Sequence, residues 1–421
     1  MDLGQVPINV QGVGVYYRRF FDQRLDQFNL LCAEHEFQSL TESTKPGKAH
    51  RTGIYLTPVE QHGQDLHFRL LRCSTNLSGP TENFGANDRR IVDALNIEAN
   101  CIFENHTALN HVLAQVYHNT PASPGQKQTK AKISAHADKT KDMPDNGIMA
   151  FCTFYDQLEK LQPIDGHGFD YGYKGKSGMT KLHFRLKKSV ADSSDNPLCP
   201  EFTVTLYPNS VFFMPLSTNR CYTHEIQSSI LDAALLPTRL GYVVRCSKTE
   251  AVHKDEKTYI KQDEKLVELE QATPEGMQAL RSLYVEENKT QHFINYGDKF
   301  LFSMNSGDYS PPRHCMEDEF YSYRLPNEDN IFEKLMDSVK FEDVGNGRQG
   351  AVLIKTGDSS CIPIVRTTTR YNAAAQHFSA VHDRLAKRIQ KSTSLSIDFN
   401  NALIETIPIN IPRGGITQIK L

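Results

Sequence analysis

Lys132-Ile133-Ser134-Ala135-His136-Ala137-Asp138-Lys139 sets a histidine and an aspartate one residue apart. A second histidine, His224, follows 88 residues after the first, and Arg239-x5-Arg245 comes next. Two imidazoles and one carboxylate are the ligand set of the facial triad. That triad holds Fe(II) on one face and leaves positions open, which can take a bidentate oxo acid and then O2. An arginine shortly after the second histidine can grip a carboxylate of that acid, because a guanidinium is a planar fork. The order His-x-Asp, His, Arg therefore predicts metal ligands at His136, Asp138 and His224.

The His-x-Asp pair alone says little in a chain with 16 histidines. His253-Lys254-Asp255 repeats it inside the charged stretch Lys248 to Glu270, which reads as solvated surface. The first copy has different surroundings. Ile148 to Tyr155 (IMAFCTFY) is an apolar, aromatic run that reads as a buried strand. Lys181 to Lys187 (KLHFRLK) and Phe202 to Tyr207 (FTVTLY) alternate, and Pro208-Asn209 is a turn. Val211 to Met214, Cys221 to Ile226 and Arg239 to Cys246 read as further strands. His224 then sits on a strand behind a turn, and Arg239 opens the next one. A small antiparallel barrel with ligands at strand ends fits this pattern. The alternative places His136 on the surface and His224 in the core as a satisfied histidine.

Residues 115 to 246 resemble the AlkB family of Fe(II)/2-oxoglutarate dioxygenases. Gln115-Val116-Tyr117 resembles that family's Asn-x-Tyr pair, which hydrogen-bonds the co-substrate. Lys132 to Lys139 resembles its Lys-Leu-Ser-x-His-x-Asp-Lys segment, and Tyr207 to Phe213 its strand entry. Arg239 and Arg245 match its paired arginines, which hold the two ends of 2-oxoglutarate. The resemblance implies an α+β fold: a double-stranded β-helix (jelly-roll) barrel with flanking helices. It implies Fe(II), 2-oxoglutarate and O2 at the site. Arg239 would pair with the distal carboxylate, and Arg245 would support the other end or orient Asp138. Gln115 and Tyr117 would contribute hydrogen bonds.

Three departures bear on the substrate. Thr140 stands where the family often has an acidic residue that helps read a flipped base. Gly241 replaces the asparagine between the paired arginines, and the chain has no tryptophan to stack a base. Phe, Tyr or His can stack instead. The spacing of the two histidines is also long for the family. Leu158 to Gly178 and Ser189 to Pro200 supply the extra length as Gly-, Asp- and Ser-rich loops, a composition suited to a lid or a partner surface.

The chain of 421 residues is 39% hydrophobic and 23% charged, which is a globular composition. The net charge of −3 carries no global nucleic-acid signature, but residues 121 to 190 hold 12 Lys/Arg against 7 Asp/Glu, a local +5. A basic rim can steer a phosphate backbone, with Lys127, Lys130, Lys132 and Lys139 beside the metal motif as the expected contacts, although such a bias is also an ordinary solvated face. Nine cysteines without a C-x-x-C pair point to reduced thiols and an intracellular setting, cytoplasm or nucleus. The first residues lack the apolar stretch of a signal peptide, and no run approaches a membrane span. Phosphate-loop, dinucleotide and nucleophile-elbow fingerprints are absent.

Weak self-similarity runs through the chain. Arg348 to Leu353 echoes Arg51 to Leu56, Arg366 to Thr369 echoes Arg72 to Thr75, and Phe378 echoes Phe84. Asp383-Arg384 echoes Asp88-Arg89, and Phe399 to Leu403 echoes the stretch after Phe103. The expected organisation is a lead-in and substrate lid (1–95), a catalytic barrel (96–250), a charged helical connector and loop (251–325), and a partial repeat lacking metal ligands (326–421). The barrel is expected to open with a helix around Asn105 to Val116, and residues 251 to 285 to be helical. The expected activity is a 2-oxoglutarate-dependent dioxygenase that dealkylates methylated bases in single-stranded or flipped-out nucleic acid. A protein or small-molecule hydroxylase and a non-catalytic binding module are the alternatives. The oligomeric state is left open.

Overall fold

Eight strands of the chain alternate between two antiparallel sheets. The larger sheet places His111–Tyr117, Thr238–Arg245, Ile148–Asp156 and Ser210–Pro215 side by side. The smaller sheet orders Ile133–His136, Tyr222–Gln227, Thr180–Leu186 and Glu201–Leu206. This crossing pattern is the jelly roll. The computed structural model describes residues 3–40, 49–72, 77–192, 197–263, 265–297 and 299–313, plus four short strands beyond them.

The chain divides into two units, Met1–His314 and Cys315–Leu421. In the second, Val339–Asp343 pairs with Gln349–Leu353, and Glu405–Pro408 with Thr417–Lys420. Gln349–Leu353 is a strand, like its counterpart in Arg51–Thr57. The other repeat correspondences lie outside the described residues.

The first unit does not follow the expected division at 95 and 250. Gly14–Tyr17 adds to one edge of the larger sheet beside Ser210–Pro215, and Arg51–Thr57 adds to the other beside His111–Tyr117. Position 95 falls inside the helix Ala86–Ile102. The lead-in thus belongs to the barrel wall. Such strand pairing is non-local, so sequence proximity does not reveal it.

Two expected helices are also corrected. Residues 111–117 form a strand, and the helix before it is Ala86–Ile102. Residues 249–268 form three strands, which join Asp65–Leu70 and Glu60–His62 in a five-stranded sheet. In Lys257–Gln262, Lys257 and Lys261 are exposed while Thr258 and Ile260 are buried, the period-2 pattern of a half-buried strand. Only Pro274–Lys289 is helical, started by Pro274 behind the cap Thr273, whose hydroxyl accepts from Gly276 N at 3.0 Å. His253 is buried, with its Nδ1 3.0 Å from Thr258 Oγ1. It is a core histidine of this sheet, not solvated surface.

Alternation decides what faces the barrel interior. Ile148, Ala150, Cys152 and Phe154 join Leu240, Tyr242 and Val244 in a cluster packed against the helices Gln27–Glu34 and Ala86–Ile102. The intervening residues Phe151 and Thr153, and Arg239, Gly241, Val243 and Arg245, therefore face inward. Phe184, Leu206, Phe212 and Tyr222 fill the far part of the interior.

A buried charge chain fixes the helix Ala86–Ile102 to the sheet. His35 Nδ1 lies 3.0 Å from Glu82 Oε2, and its Nε2 lies 2.6 Å from Asp88 Oδ2. Tyr242 Oη donates to Asp88 Oδ1 at 2.6 Å. A neutral imidazole can donate only once, so both contacts require the imidazolium. Burial alone would lower the His35 pKa; Asp88 and Glu82 outweigh it and hold the group up at about 10. A folded-state pKa above the unfolded value of ~6.5 stabilises the fold fully below that pH, and the contribution is lost as pH rises through 10. Urea unfolding of the wild type is therefore expected to weaken by a few kcal/mol between about pH 7 and pH 10, and less in His35→Gln. Equal pH slopes for the two proteins would refute the imidazolium.

Candidate metal centre

His136 ends the strand Ile133–His136 and pairs in register with His224 on Tyr222–Gln227. The pairing brings the two rings to 4.5 Å between centroids. Asp138 enters from the loop just beyond. His136 Nε2 lies 3.5 Å and His224 Nε2 3.9 Å from Asp138 Oδ1. One donor atom from each of the three residues falls within 4.8 Å of the others.

The protonation states suit a cation. His136 Nδ1 is 2.9 Å from the Ser134 carbonyl, which can only accept, so Nδ1 donates there and Nε2 is the nitrogen turned to Asp138. His224 is buried between Phe151 and Phe184. Burial, then the neighbouring His136, pushes its pKa down to about 3, so it is neutral at pH 7. Asp138 is also buried. Burial would raise its pKa, but Arg245 and the two histidines outweigh this and hold it well below the usual carboxylate range. Arg245 Nε and Nη2 both donate to Asp138 Oδ2, at 2.9 and 2.6 Å, which leaves Oδ1 for the histidine side. Two imidazole nitrogens and one carboxylate oxygen are a donor set for a divalent first-row metal.

Among the described residues, the other cluster with metal-like composition is Glu34, His35 and Asp88. Its histidine is the imidazolium described above and offers no lone pair.

The sequence-predicted residues meet in one cavity of about 580 Å3, lined by Gln115, Tyr117, His136, Asp138, His224, Arg239 and Arg245. Arg239 faces Tyr117 across the strand pair, with its guanidinium carbon 4.0 Å from the Tyr117 ring centre. It is 5% exposed, and its Nη2 has no hydrogen-bond partner. Tyr117 Oη donates to Gln115 Oε1 at 2.8 Å. Gly241 makes room for this arrangement: a Cβ there would lie 2.8 Å from Arg239 Nη1 and 3.2 Å from Tyr117 Cε2.

With this geometry in hand, the chain can be set beside known proteins. No protein-family model matches the sequence, and no curated protein sequence matches it either. Among solved structures, it is similar to that of OsALKBH1 at a TM-score of 0.28 and 12% identity, over 55% of this chain and 97% of that one. It is also similar to the non-heme alpha-ketoglutarate-dependent epimerase SnoN from nogalamycin biosynthesis, at a TM-score of 0.32 and 12% identity, over 57% and 80% of the two chains. The jelly-roll assignment rests on the strand order given above.

Several residues that hold the site have no motif to announce them. Asn219 clamps the Asp138 backbone, accepting from its N–H and donating to its carbonyl, both at 2.8 Å. Asn288, on the helix Pro274–Lys289, accepts from Ala137 N at 2.7 Å. Glu287 accepts from Thr140 N at 3.1 Å and from the Thr140 hydroxyl. Thr140 is thus turned to the helix rather than to the cavity. Lys187 Nζ donates to the Glu287 carbonyl at 2.6 Å. These partners lie up to 151 residues from the loop they hold, and no local sequence signal marks them.

Two further expectations are corrected. The insert Leu158–Gly178 forms its own three-stranded sheet and contributes no lining residue to the cavity. Lys130 lines the cavity, but its ammonium donates to the carbonyls of Ser229 and Leu231 at 2.8 and 3.0 Å. Lys127 is exposed and outside the lining.

Proposed function

We propose that this chain is an Fe(II)- and 2-oxoglutarate-dependent dioxygenase that removes methyl groups from nucleic-acid bases, as AlkB-type enzymes do. One observation carries the reading: the His136–Asp138–His224 donor set shares a cavity with the buried, unpartnered Nη2 of Arg239. A metal held by three protein groups keeps sites open, and a forked cation nearby suits the far carboxylate of an oxo diacid.

His136 Nε2, Asp138 Oδ1 and His224 Nε2 would hold the metal. Arg245 keeps Asp138 ionised and aimed, and Asn219 fixes its backbone. Arg239 would receive the distal carboxylate of 2-oxoglutarate, with Gln115 and Tyr117 beside it. When bound, iron and 2-oxoglutarate supply an oxidation that consumes O2, yields succinate and CO2, and places one oxygen atom on a substrate C–H bond. On an N-methyl base the product hydroxymethyl group releases formaldehyde. The protein's share is to position the reactants and exclude water.

The cavity wall supports a polyanionic substrate. Lys132 is exposed and Lys139 half-buried, and both line the cavity, with the Lys139 ammonium 5.0 Å from the Tyr284 ring centre. Of the four expected lysines, these two remain the candidate phosphate contacts. The Leu158–Gly178 insert lines no part of this cavity.

The test uses a single-stranded oligonucleotide with N-methylated bases. Its binding is expected to weaken steeply from 50 to 200 mM salt, and the Lys132→Gln/Lys139→Gln protein to lose about 1.4 from the log–log slope, at ~0.7 per phosphate contact. The oligonucleotide should also stimulate succinate formation with matching formaldehyde. A flat salt response without stimulation would refute the nucleic-acid reading and leave a protein or small-molecule hydroxylase.

A further inference from the structure

Thr153 sits mid-way along Ile148–Asp156, directly opposite Gly241, and Gly241 is directly opposite Gln115 on the next strand. All three line the cavity. Thr153 is 1% exposed, and its Oγ1 has no hydrogen-bond partner. A buried hydroxyl left unmatched calls for an explanation, because such groups are rarely orphaned in folded proteins. Arg239 Nη2 is in the same condition, two residues from Gly241 on the neighbouring strand.

Gly241 has no side chain in the middle of the row Gln115–Gly241–Thr153, and the Arg239 guanidinium and the Tyr117 ring lie where its Cβ would stand. Two donors without acceptors, the Thr153 hydroxyl and one arm of the Arg239 guanidinium, thus belong to residues that line the same cavity. A carboxylate has two oxygens able to accept from both at once.

We propose that Thr153 donates its hydroxyl to the distal carboxylate of the 2-oxo diacid that Arg239 holds. Thr153 is then a binding residue that helps select an oxo diacid over an oxo monoacid. The proposal rests on the reading of the site as a 2-oxoglutarate site. Gly241, which stands where the family has asparagine, leaves room for the Arg239 guanidinium beside Tyr117.

The test is calorimetric titration of 2-oxoglutarate into the Mn(II)-loaded full chain without O2, which reads binding and not turnover. Thr153→Val keeps the shape and removes the hydroxyl; its Kd should rise by about ten-fold or more, while Thr153→Ser stays within about three-fold of wild type. Thr153→Ala serves as a second hydroxyl-free variant should the valine protein fold poorly. Mn(II) affinity should be unchanged in all three. Pyruvate, which lacks the distal carboxylate, should bind Thr153→Val and wild type alike. Wild-type affinity for 2-oxoglutarate in Thr153→Val, together with weakened binding in Arg239→Met, would overturn the role of Thr153 and spare the site. Unchanged binding in Arg239→Met, or no binding by the wild type, would overturn the site reading itself.

Discussion

Replacing His224 with alanine is expected to abolish metal-dependent 2-oxoglutarate turnover and to lower metal affinity by at least about 100-fold, since loss of a mere supporting contact in such sites costs 10–100-fold. The ring is buried and neutral, and its Nε2 lies within reach of Asp138 Oδ1 and His136. Without it, one nitrogen and one carboxylate remain, and Arg245 competes for that carboxylate. Phe151 and Phe184 pack on the ring, so alanine also opens a void. His224→Gln, closer in volume, separates that packing loss from the loss of the ligand. His253→Ala is the control: its residue belongs to the other His-x-Asp sequence, bonds Thr258 and sits in a different sheet. It should keep full metal affinity. Metal binding in both His224 variants within ten-fold of wild type would exclude His224 as a ligand.

The second large effect lies just beyond the metal loop. Arg72 is buried and surrounds Asp142: Nη2 lies 2.6 Å from Oδ1, Nε 3.2 Å from Oδ2, and the Arg72 backbone N 2.6 Å from Oδ2. Thr249 Oγ1 donates to the same carboxylate at 2.9 Å, and Arg72 Nη1 reaches the Phe300 carbonyl at 3.0 Å. Asp142 follows Asp138 by four residues, so this knot ties the candidate metal loop to the strand-rich flank. Burial would raise the Asp142 pKa, but Arg72 and Lys141 outweigh it and depress it. A depressed carboxylate stabilises the fold above its unfolded pKa of ~3.9 and loses that contribution only as pH falls through the lower, folded value. At neutral pH, Arg72→Met leaves the charge buried and unpaired. The expected cost is about 3–5 kcal/mol. A unit of this size would lose roughly 6–15 °C in Tm. Adding Asp142→Leu should recover much of the loss, because a buried pair replaced by apolar groups is often neutral. A single variant that melts within a degree of wild type would contradict the arrangement.

The barrel was legible because its strands alternate. Thr180–Leu186, Glu201–Leu206 and Tyr222–Gln227 bury every second residue, and the sequence shows that period directly. His111–Tyr117 was misread as helix for a physical reason. It is central in the larger sheet and buried at five of seven positions, so alternation fades and Val112, Leu113 and Val116 satisfy a helical spacing equally well. The strands 249–268 were hidden by their charges. Lys257 and Glu268 face solvent as a cross-strand pair at 2.8 Å, and charge density alone suggested an exposed helix.

Of the candidate site, the sequence points to His136, Asp138, His224, Arg239 and Arg245, and the fold brings these five to line one cavity. What escaped was everything that holds them. Asn219, Glu287, Asn288 and Lys187 act through contacts spanning 81 to 151 residues, and their residue types carry no spacing signal. Thr140 looked like a lost base contact; the structure gives it a partner in Glu287 instead. Thr153 was invisible because a threonine in an apolar strand reads as β-propensity until the register sets it opposite Gly241.

The central claim is tested most directly by crystals of the full chain grown with Mn(II) and 2-oxoglutarate in the absence of O2. Anomalous scattering should place one metal between His136 Nε2, Asp138 Oδ1 and His224 Nε2, with the ligand's distal carboxylate on Arg239. A metal bound instead at Glu34, His35 and Asp88, or a triad without metal at saturating Mn(II), would contradict it.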